Sequence, residues 1–448
     1  MIDQYRKAKD YLDSFLDYEL VSFFPYQDSI NLKRVYLLLR HLKIPYQDLK
    51  VIHIAGTKGK GSTAHFIGSL LAASGCKTGL FTSPHLFDFR ERIRIAKKVK
   101  SKVQSNLISK NDLINIVEEF RIGLRDLKIP KKLGQVTFFE IVTAVAFEYF
   151  LQKNVDFVVL ETGLGGRLDA TNVVNPLLSI ITHIGYDHLD KLGKKLSEIA
   201  GEKAGIIKKN TPVVSSSQRQ SALAVIKNKS RAEQAPLFLL KRDFEVKNVR
   251  LKQEHTLFNF KFNDFILRNL KINLKGRHQV ENASLALAAL CLLERKGLVN
   301  KKVEYSSGLI ALDLLGRFEI ISKSPLIVVD IAHNLPSFSV LEKSLKSYFP
   351  RRKIILIFAC SQDKDAKKML GEIDYSDLIL TGFGNPRSKR PEEIKKIIRD
   401  NNLCLTKNIK EALDQAKKKY RDKSIIVISG SLFLVSEAKK LLELRKKR

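Results

Sequence analysis

The run Ala55-Gly-Thr-Lys-Gly-Lys-Gly-Ser-Thr63 gathers glycines, two lysines and hydroxyl side chains in one short stretch. Glycines let a backbone curl until its N–H groups face a chain of phosphates, and a helix that follows adds its positive end. Lys60 then neutralises the β- and γ-phosphates, and Ser62 brings a hydroxyl near a metal. The run departs from the usual phosphate loop: Gly61 separates Lys60 from the hydroxyl residue, and Ile54 stands at the first glycine position. Without its flanks the stretch is only a Gly-rich turn. A strand before it and a helix after it favour the phosphate reading.

A second run is Leu160-Glu-Thr-Gly-Leu-Gly-Gly-Arg-Leu-Asp-Ala-Thr-Asn172. Glu161 ends an apolar, strand-like segment, at the sheet edge where ligands of open α/β folds gather. A carboxylate facing a phosphate loop there suits a hard Mg²⁺ ion. Read alone, it is equally an acidic strand end followed by a turn. In Thr182-His-Ile-Gly-Tyr-Asp-His-Leu-Asp190, Asp187-His188 offers an imidazole to a second cation or to a substrate, although a satisfied loop histidine is the commoner fate. Lys203, in Glu202-Lys-Ala-Gly-Ile-Ile-Lys208, sits near a helix end and by itself reads as a surface lysine. Gly316-Arg-Phe-Glu319 and Val329-Asp-Ile-Ala-His-Asn334 read alone as a hinge turn and a polar loop as readily as functional clusters.

The elements that must position these groups follow from hydropathy. Short apolar runs at residues 51–54, 78–81, 156–160 and 178–181 read as buried strands, and residues 62–74 and 137–151 as helices. That alternation predicts a mostly parallel, doubly wound sheet. Residues 236–272 alternate polar and apolar side chains, which predicts a small antiparallel addition. Residues 279–294 read as a further helix. From about Arg317 the alternation starts afresh, with strands expected at residues 326–330, 354–358, 377–381 and 425–429. The fold class is thus α/β: an N-terminal P-loop ATPase-type domain over residues 1–312, a hinge at 313–317, and a C-terminal Rossmann-like α/β domain over 318–448. Residues 97–109 and 215–220 read as loops, the first as a solvated hairpin or insertion.

Composition bounds the rest. The chain has 448 residues, 44% hydrophobic and 28% charged, the balance of a globular protein and not of a disordered one. No apolar run reaches the roughly 18 residues of a membrane span, and the start Met1-Ile-Asp-Gln-Tyr-Arg-Lys7 lacks a secretory signal's apolar core. The expectation is a cytoplasmic protein with no membrane partner. Four cysteines without a CxxC pair argue against a disulfide framework or a zinc site. The net charge of +32, from 79 Lys+Arg against 47 Asp+Glu, attracts polyanions. Lysine is spread over the whole chain and no RNA- or DNA-reading motif accompanies it, so no obligate nucleic-acid partner is expected. A nucleic-acid-stimulated P-loop ATPase is the alternative from another class.

Taken together and in order, these clusters resemble the folylpolyglutamate synthase/dihydrofolate synthase family of the Mur-ligase superfamily. The matching motifs are Gly56 to Ser62, Thr82-Ser-Pro-His-Leu86 with Arg90-Glu-Arg-Ile93, Phe139-Glu140, Glu161 to Asn172, Asp187-His188, Glu202 to Ile207, Gly276-Arg-His-Gln279 with Glu281-Asn-Ala283, Gly316-Arg-Phe318, Asp330 to Asn334 and Ser429-Gly-Ser431. The resemblance implies an ATP-dependent ligase that joins L-glutamate to a folate-type carboxylate through an acyl phosphate. The acceptors are dihydropteroate or reduced folates, and the bifunctional type is favoured by residues 137–140 and 166–172. A monofunctional folylpolyglutamate synthase is the alternative. A cell-wall Mur ligase is disfavoured, because the phosphate loop begins near residue 56.

The same resemblance implies roles. Gly56, Thr57, Lys58, Gly59, Lys60, Gly61, Ser62, Thr63, Asn282 and Arg317 contact ATP; Ser83 and Glu161 hold a first Mg²⁺ and His188 a second, with K⁺ as a further cation. Lys203 matches a lysine that the family carbamylates with CO₂. Lys60, Lys203, Asp330 and His333 form the catalytic set, the last two on the face that meets the incoming glutamate. Phe139, Asp169 and Arg90 lie on the substrate side: Phe139 can stack a flat pterin ring or be a helix-core residue, and Asp169 can pair with pterin N–H groups. The family is typically monomeric.

Overall fold

The computed structural model describes residues 2–19, 21, 25–252, 254–299, 303–312, 314–398 and 403–446. Two compact units emerge, one built from residues 1–250, 257–273 and 277–312, the other from 251–256, 274–276 and 313–448. The expected hinge begins at Asp313, which lies outside the described residues.

The first unit is organised by strands β1 (Val51–Ala55), β2 (Thr78–Phe81), β3 (Ile93–Val99), β4 (Lys102–Leu107), β5 (Phe157–Glu161), β6 (Leu178–Ile181), β7 (Val213–Ser215) and β8 (Leu237–Leu239). They form one sheet in the order β4-β3-β2-β5-β1-β6-β7-β8. The strands from β2 to β8 in that order are parallel, and β3 and β4 join antiparallel at one edge. Strands β1, β2, β5 and β6 are buried at every position, as parallel strands covered on both faces must be. This is why they read as continuous apolar runs.

Helices Lys60–Ala73 and Phe138–Gln152 flank these strands. The second starts with a capping box: Thr137 Oγ1 accepts from the Glu140 N–H at 3.3 Å and Glu140 Oε2 accepts from the Thr137 N–H at 2.9 Å. Its Ile141, Val142, Val145, Phe147 and Phe150 are buried in the same core as Phe81, Val158 and Leu160. Helix Arg277–Arg295 carries a nearly unbroken buried series from Gln279 to Leu293, as its Ala/Leu-rich sequence predicts.

One expectation is met and one needs correction. The solvated hairpin read over residues 97–109 is present: most of them belong to the β3–β4 pair, whose Cα register runs from Arg94↔Leu107 to Val99↔Lys102. Strand β4 is an exposed edge strand, polar at Lys102, Gln104, Ser105 and Asn106, and the Lys102 charge discourages further pairing. The antiparallel addition begins later than residue 236. Strand β8 ends the main parallel sheet, and β9 (Phe244–Leu251), β10 (Thr256–Phe262) and β11 (Phe265–Ile272) form a separate sheet in the order β11-β10-β9. Their connections are too short for parallel crossovers, so they are antiparallel.

In the second unit β12 (Glu319–Lys323), β13 (Leu326–Val329), β14 (Lys353–Phe358), β15 (Asp377–Leu380), β16 (Leu403–Leu405) and β17 (Ser424–Ser429) form a sheet in the order β12-β13-β17-β14-β15-β16. Only the β12–β13 pair is antiparallel. Val328, Phe338, Leu356, Phe358, Leu380 and Val427 share its core. All four cysteines are free thiols; Cys291 and Cys360 are buried, Cys76 and Cys404 only partly so. Among the described residues, no helix is long and apolar enough to cross a membrane.

Candidate active site

Strand order decides which loops share an edge. Strand β5 lies between β2 and β1, with Leu160 beside Phe81 and Glu161 beside Ile54. Its terminal carboxylate therefore sits between the loop that follows β1 and the loop that follows β2. Lys60 Nζ lies 3.8 Å from Glu161 Oε1, and the Ser83 N–H donates to Glu161 Oε2 at 3.3 Å. The Glu161 side chain is only 5% exposed, so that little water screens its charge from Lys60. Strand β6, on the other side of β1, brings residues 182–188 to the same edge.

The phosphate loop is held by close approaches that only glycine allows. A Cβ at Gly56 would lie 1.8 Å from Thr182 Oγ1, and one at Gly59 (φ +89°) would lie 2.2 Å from Asn282 Oδ1. The N–H groups of Thr57 and Lys58 do not face outward as a simple phosphate cradle predicts. Both donate to the His183 carbonyl, at 2.9 and 3.1 Å. Thr57 Oγ1 also exchanges hydrogen bonds with Gly185, and Lys58 Nζ approaches Asp187 Oδ2 at 3.8 Å. The donors left for an anion are those at the start of the Lys60–Ala73 helix, whose first N–H groups have no partner within the helix. In that first turn the Ser62 and Thr63 hydroxyls are buried without a hydrogen-bond partner, as is the Thr162 hydroxyl beside Glu161.

These orphaned hydroxyls, the Glu161 carboxylate and Ser83 form a set of hard oxygen donors, which is what Mg²⁺ requires. His188 adds a half-buried imidazole from the loop after β6, with its backbone left-handed at φ +49°. Among the described residues no group of three or more His, Cys, Asp or Glu gathers. Mg²⁺ ordinarily takes few protein ligands and completes its shell with phosphate oxygens and water. The residues present fit such an ion.

Lys203 is not a surface lysine. It is 4% exposed, and its Nζ donates to the Gly56 carbonyl at 3.0 Å. Burial, followed by the charge of Lys60, lowers its pKa from 10.5 to about 7. A lysine that is partly neutral at physiological pH is a nucleophile, and here it touches the phosphate loop.

On the substrate side, Phe139 is partly buried. Its ring lies 5.6 Å from that of Phe81 and fills the space where a side chain on Gly163 would go. Phe138, its neighbour, is the core residue, 3% exposed. Asp169 is turned inward: Oδ1 accepts from the Thr171 N–H and hydroxyl at 3.1 and 2.6 Å, and Oδ2 from the Leu164 N–H at 2.9 Å. A pterin N–H could reach this carboxylate only by sharing or displacing those bonds. Arg90 is likewise engaged, pairing with Asp88 at 2.7 Å and lying over the Tyr5 ring.

In the second unit, Asp330 bridges two loops, Oδ2 accepting from the Phe318 N–H and Oδ1 from the Ala332 N–H, each at 2.8 Å. The Ile331 N–H returns to the Gly316 carbonyl at 2.9 Å. Glu319, itself held by the buried Lys439 at 2.5 Å, accepts from the Gly316 N–H at 2.7 Å. Arg317 thus rides on a turn tied at three points. Both Asp330 oxygens accept backbone N–H groups, so this carboxylate orders the two loops. His333 Nδ1–H donates to the Ile331 carbonyl at 2.9 Å, which leaves Nε2 as the basic nitrogen.

Residues 54–290 match the Mur ligase middle domain and residues 316–432 the Mur ligase glutamate ligase domain. A dihydrofolate synthase/folylpolyglutamate synthase of Bacillus subtilis is 33% identical over 92% of this chain and 95% of its own. A folylpolyglutamate synthase of Lacticaseibacillus casei is also 33% identical, over 92% and 94%. The solved Mycobacterium tuberculosis folylpolyglutamate synthase complexed with ADP superimposes with a TM-score of 0.87 at 27% identity, covering 98% of each chain. The chain belongs to the folylpolyglutamate synthase/dihydrofolate synthase family of Mur ligases.

For this Mur ligase, reading the sequence missed several buried charges that shape the site. Arg92 is 2% exposed; it forks onto Glu19, donates from Nε to His85 Nδ1 at 2.9 Å, and covers the Phe138 ring. Burial and Arg92 lower the His85 pKa to about 4, so that its ring is the neutral acceptor this bond needs. Together they fix the loop that carries Ser83. Tyr26 and Arg167 both bond Glu202, next to Lys203. The motif Arg90-Glu-Arg-Ile93 was the one sequence sign of Arg92. Nothing local could name Glu19, 73 positions away, as its partner.

Proposed function

We propose that this chain joins L-glutamate to the carboxylate of a folate-type acceptor, driven by ATP, and that it accepts both dihydropteroate and tetrahydrofolate. The observation that carries this reading is the meeting of Lys60, Glu161 and Ser83 at one sheet edge, with the buried Lys203 against the same phosphate loop. The name of the Bacillus relative, which pairs both activities, supports the bifunctional form. ADP in the Mycobacterium structure supports a nucleotide at the phosphate loop.

A carboxylate resists attack by an amine because its oxygen is a poor leaving group. An acceptor oxygen therefore attacks the γ-phosphorus, the bond to ADP breaks, and an acyl phosphate forms. The glutamate amine adds to the acyl carbon, loses a proton, and inorganic phosphate leaves. Three anions must be held together, so positive charge fixed in advance is the main requirement. Lys60 and the first N–H groups of the Lys60–Ala73 helix supply it at the phosphates. Bound Mg²⁺, held by Glu161 and Ser83 with His188 toward a second ion, would add Lewis-acid screening of the same charge. Asn282, packed on Gly59, steadies the loop beside the nucleotide. Arg317 and His333 belong to the glutamate ligase domain, where Asp330 orders their two loops.

Lys203, with its pKa near 7, can add CO₂: Nζ bonds to carbon, a proton leaves, and the resulting carbamate is an anion beside the metal-binding groups. K⁺ is an accessory cation in this reading, and the protein acts as a monomer in the cytoplasm. The test is ADP release with Mg·ATP and L-glutamate, measured in parallel with dihydropteroate, with tetrahydrofolate and with neither. Turnover with both acceptors is expected. Turnover with tetrahydrofolate alone makes the chain a tail-extending synthase, and silence with both on a folded, ATP-binding protein rejects the folate reading.

A further inference from the structure

A buried polar chain runs from the strand that feeds the phosphate loop to the loop that follows Glu161. His53, on β1, is fully buried, and its Nε2 lies 2.8 Å from Thr171 Oγ1. The Thr171 hydroxyl gives its one proton to Asp169 Oδ1 at 2.6 Å, so it can only accept from His53, and Nε2 carries the hydrogen. Nδ1 is then bare, and it is indeed buried without a hydrogen-bond partner. Burial lowers the pKa of this ring to about 3, which keeps it in the single-N–H form that the arrangement needs. We propose that His53 is a positioning residue: through Thr171 it fixes the Asp169-centred loop, and with it the acceptor side of the site, to the strand that carries the phosphate loop.

The two partners are held differently. Strand β1 is laced on both sides by main-chain ladders, to β5 and to β6. Losing one side-chain bond leaves it in place. Residues 163–169 belong to no strand, and the Asp169 carboxylate accepts the N–H of Leu164 within them and that of Thr171 just after them. A further bond to it comes from the Thr171 hydroxyl, whose proton points at Asp169 because His53 occupies its acceptor side. A buried histidine with one donor in use and one nitrogen unsatisfied costs more than an apolar residue of that size. A positioning task accounts for its presence where a plain core residue would pack as well.

This inference rests on the folate-ligase reading, and the test separates the two. Initial rates of ADP release are measured against acceptor and against ATP for the wild type, His53→Leu, Thr171→Val, the double variant, and the conservative pair His53→Gln and Thr171→Ser. The amide of glutamine can stand near Nε2, and serine keeps the hydroxyl. His53→Leu and Thr171→Val should each raise the acceptor KM by about tenfold, the scale of one buried hydrogen bond, while the KM for ATP moves less than about twofold. The double variant should be no worse than Thr171→Val, which already removes the hydroxyl that both His53 and Asp169 bond. Glutamine and serine should restore most of the loss. Equal losses for ATP and acceptor, additive losses, or unchanged kinetics with only a lower Tm would overturn the proposal. If the wild type turns over no folate, the functional reading fails, and amide hydrogen exchange still judges the link: faster exchange over residues 163–171 in Thr171→Val, with residues 51–55 unchanged, upholds it, and no difference rejects it.

Discussion

Arg34 and Glu140, 106 positions apart in the chain, form an ion pair at 2.6 Å with side chains only 2% and 3% exposed. Arg34 Nε also donates to both Glu140 oxygens, and its other nitrogens donate to the carbonyls of Leu133 and Ser29. Glu140 in turn closes the capping box at the start of the helix that carries Phe139. One buried pair thereby fixes where that helix begins and where the Phe139 ring stands.

Removing one member strands the other in a dry interior. Glu140→Ala should destabilise the protein by about 3–5 kcal/mol, the usual cost of an uncompensated buried charge. Chemical denaturation followed by circular dichroism measures it. A loss below about 1 kcal/mol would mean that Arg34 finds water or another partner.

Glu161→Gln keeps the shape of the strand end and removes its charge. ADP formation should fall by about 10²–10³-fold in kcat, as when a fixed electrostatic group is lost, with the fold unchanged by circular dichroism. Activity within a few fold of wild type would remove Glu161 from the proposed metal-binding set.

Gly59→Ala places a Cβ against Asn282 Oδ1 at a left-handed backbone angle. The KM for ATP should rise by about tenfold or more, given strain of about 1–2 kcal/mol from the backbone alone. Adding Asn282→Ala relieves the collision but not the angle, so it should recover part of the loss. Full recovery, or none, would show that only one of these two constraints operates.

Lys203 links stability to pH. Its folded pKa, about 7, lies below the ordinary 10.5, so between those values the unfolded chain binds a proton that the folded one does not. Stability contributed by this residue therefore rises with pH through that window and is lost as pH falls through about 7. Thermal melts of wild type and Lys203→Met from pH 6 to 10, with CO₂ excluded, should show the wild type gaining on the variant as pH rises. Parallel curves would contradict the depressed pKa.

Much of the framework was legible because it is written in local terms. The apolar runs of β1, β2, β5 and β6 and the Ala/Leu pattern of helix Arg277–Arg295 each state their own structure within a few residues. So do the glycines around Lys60 and the acidic end of β5. The β3–β4 segment was legible only as a solvated hairpin or insertion, because an exposed edge strand has no apolar face to mark its register.

The residue types available for chemistry were thus set by the sequence alone: a phosphate loop, a strand-end carboxylate, a lysine near a helix end. What each does was decided only by tertiary structure. Sheet order put Glu161 between the loops of Lys60 and Ser83. Packing buried Lys203 and shifted its charge equilibrium. Contacts spanning 73 to 118 positions joined Arg92 to Glu19, Arg34 to Glu140 and His53 to Thr171. Burial and strand neighbours are properties of the folded chain, and desolvation and hydrogen bonding act only once those neighbours have been assembled.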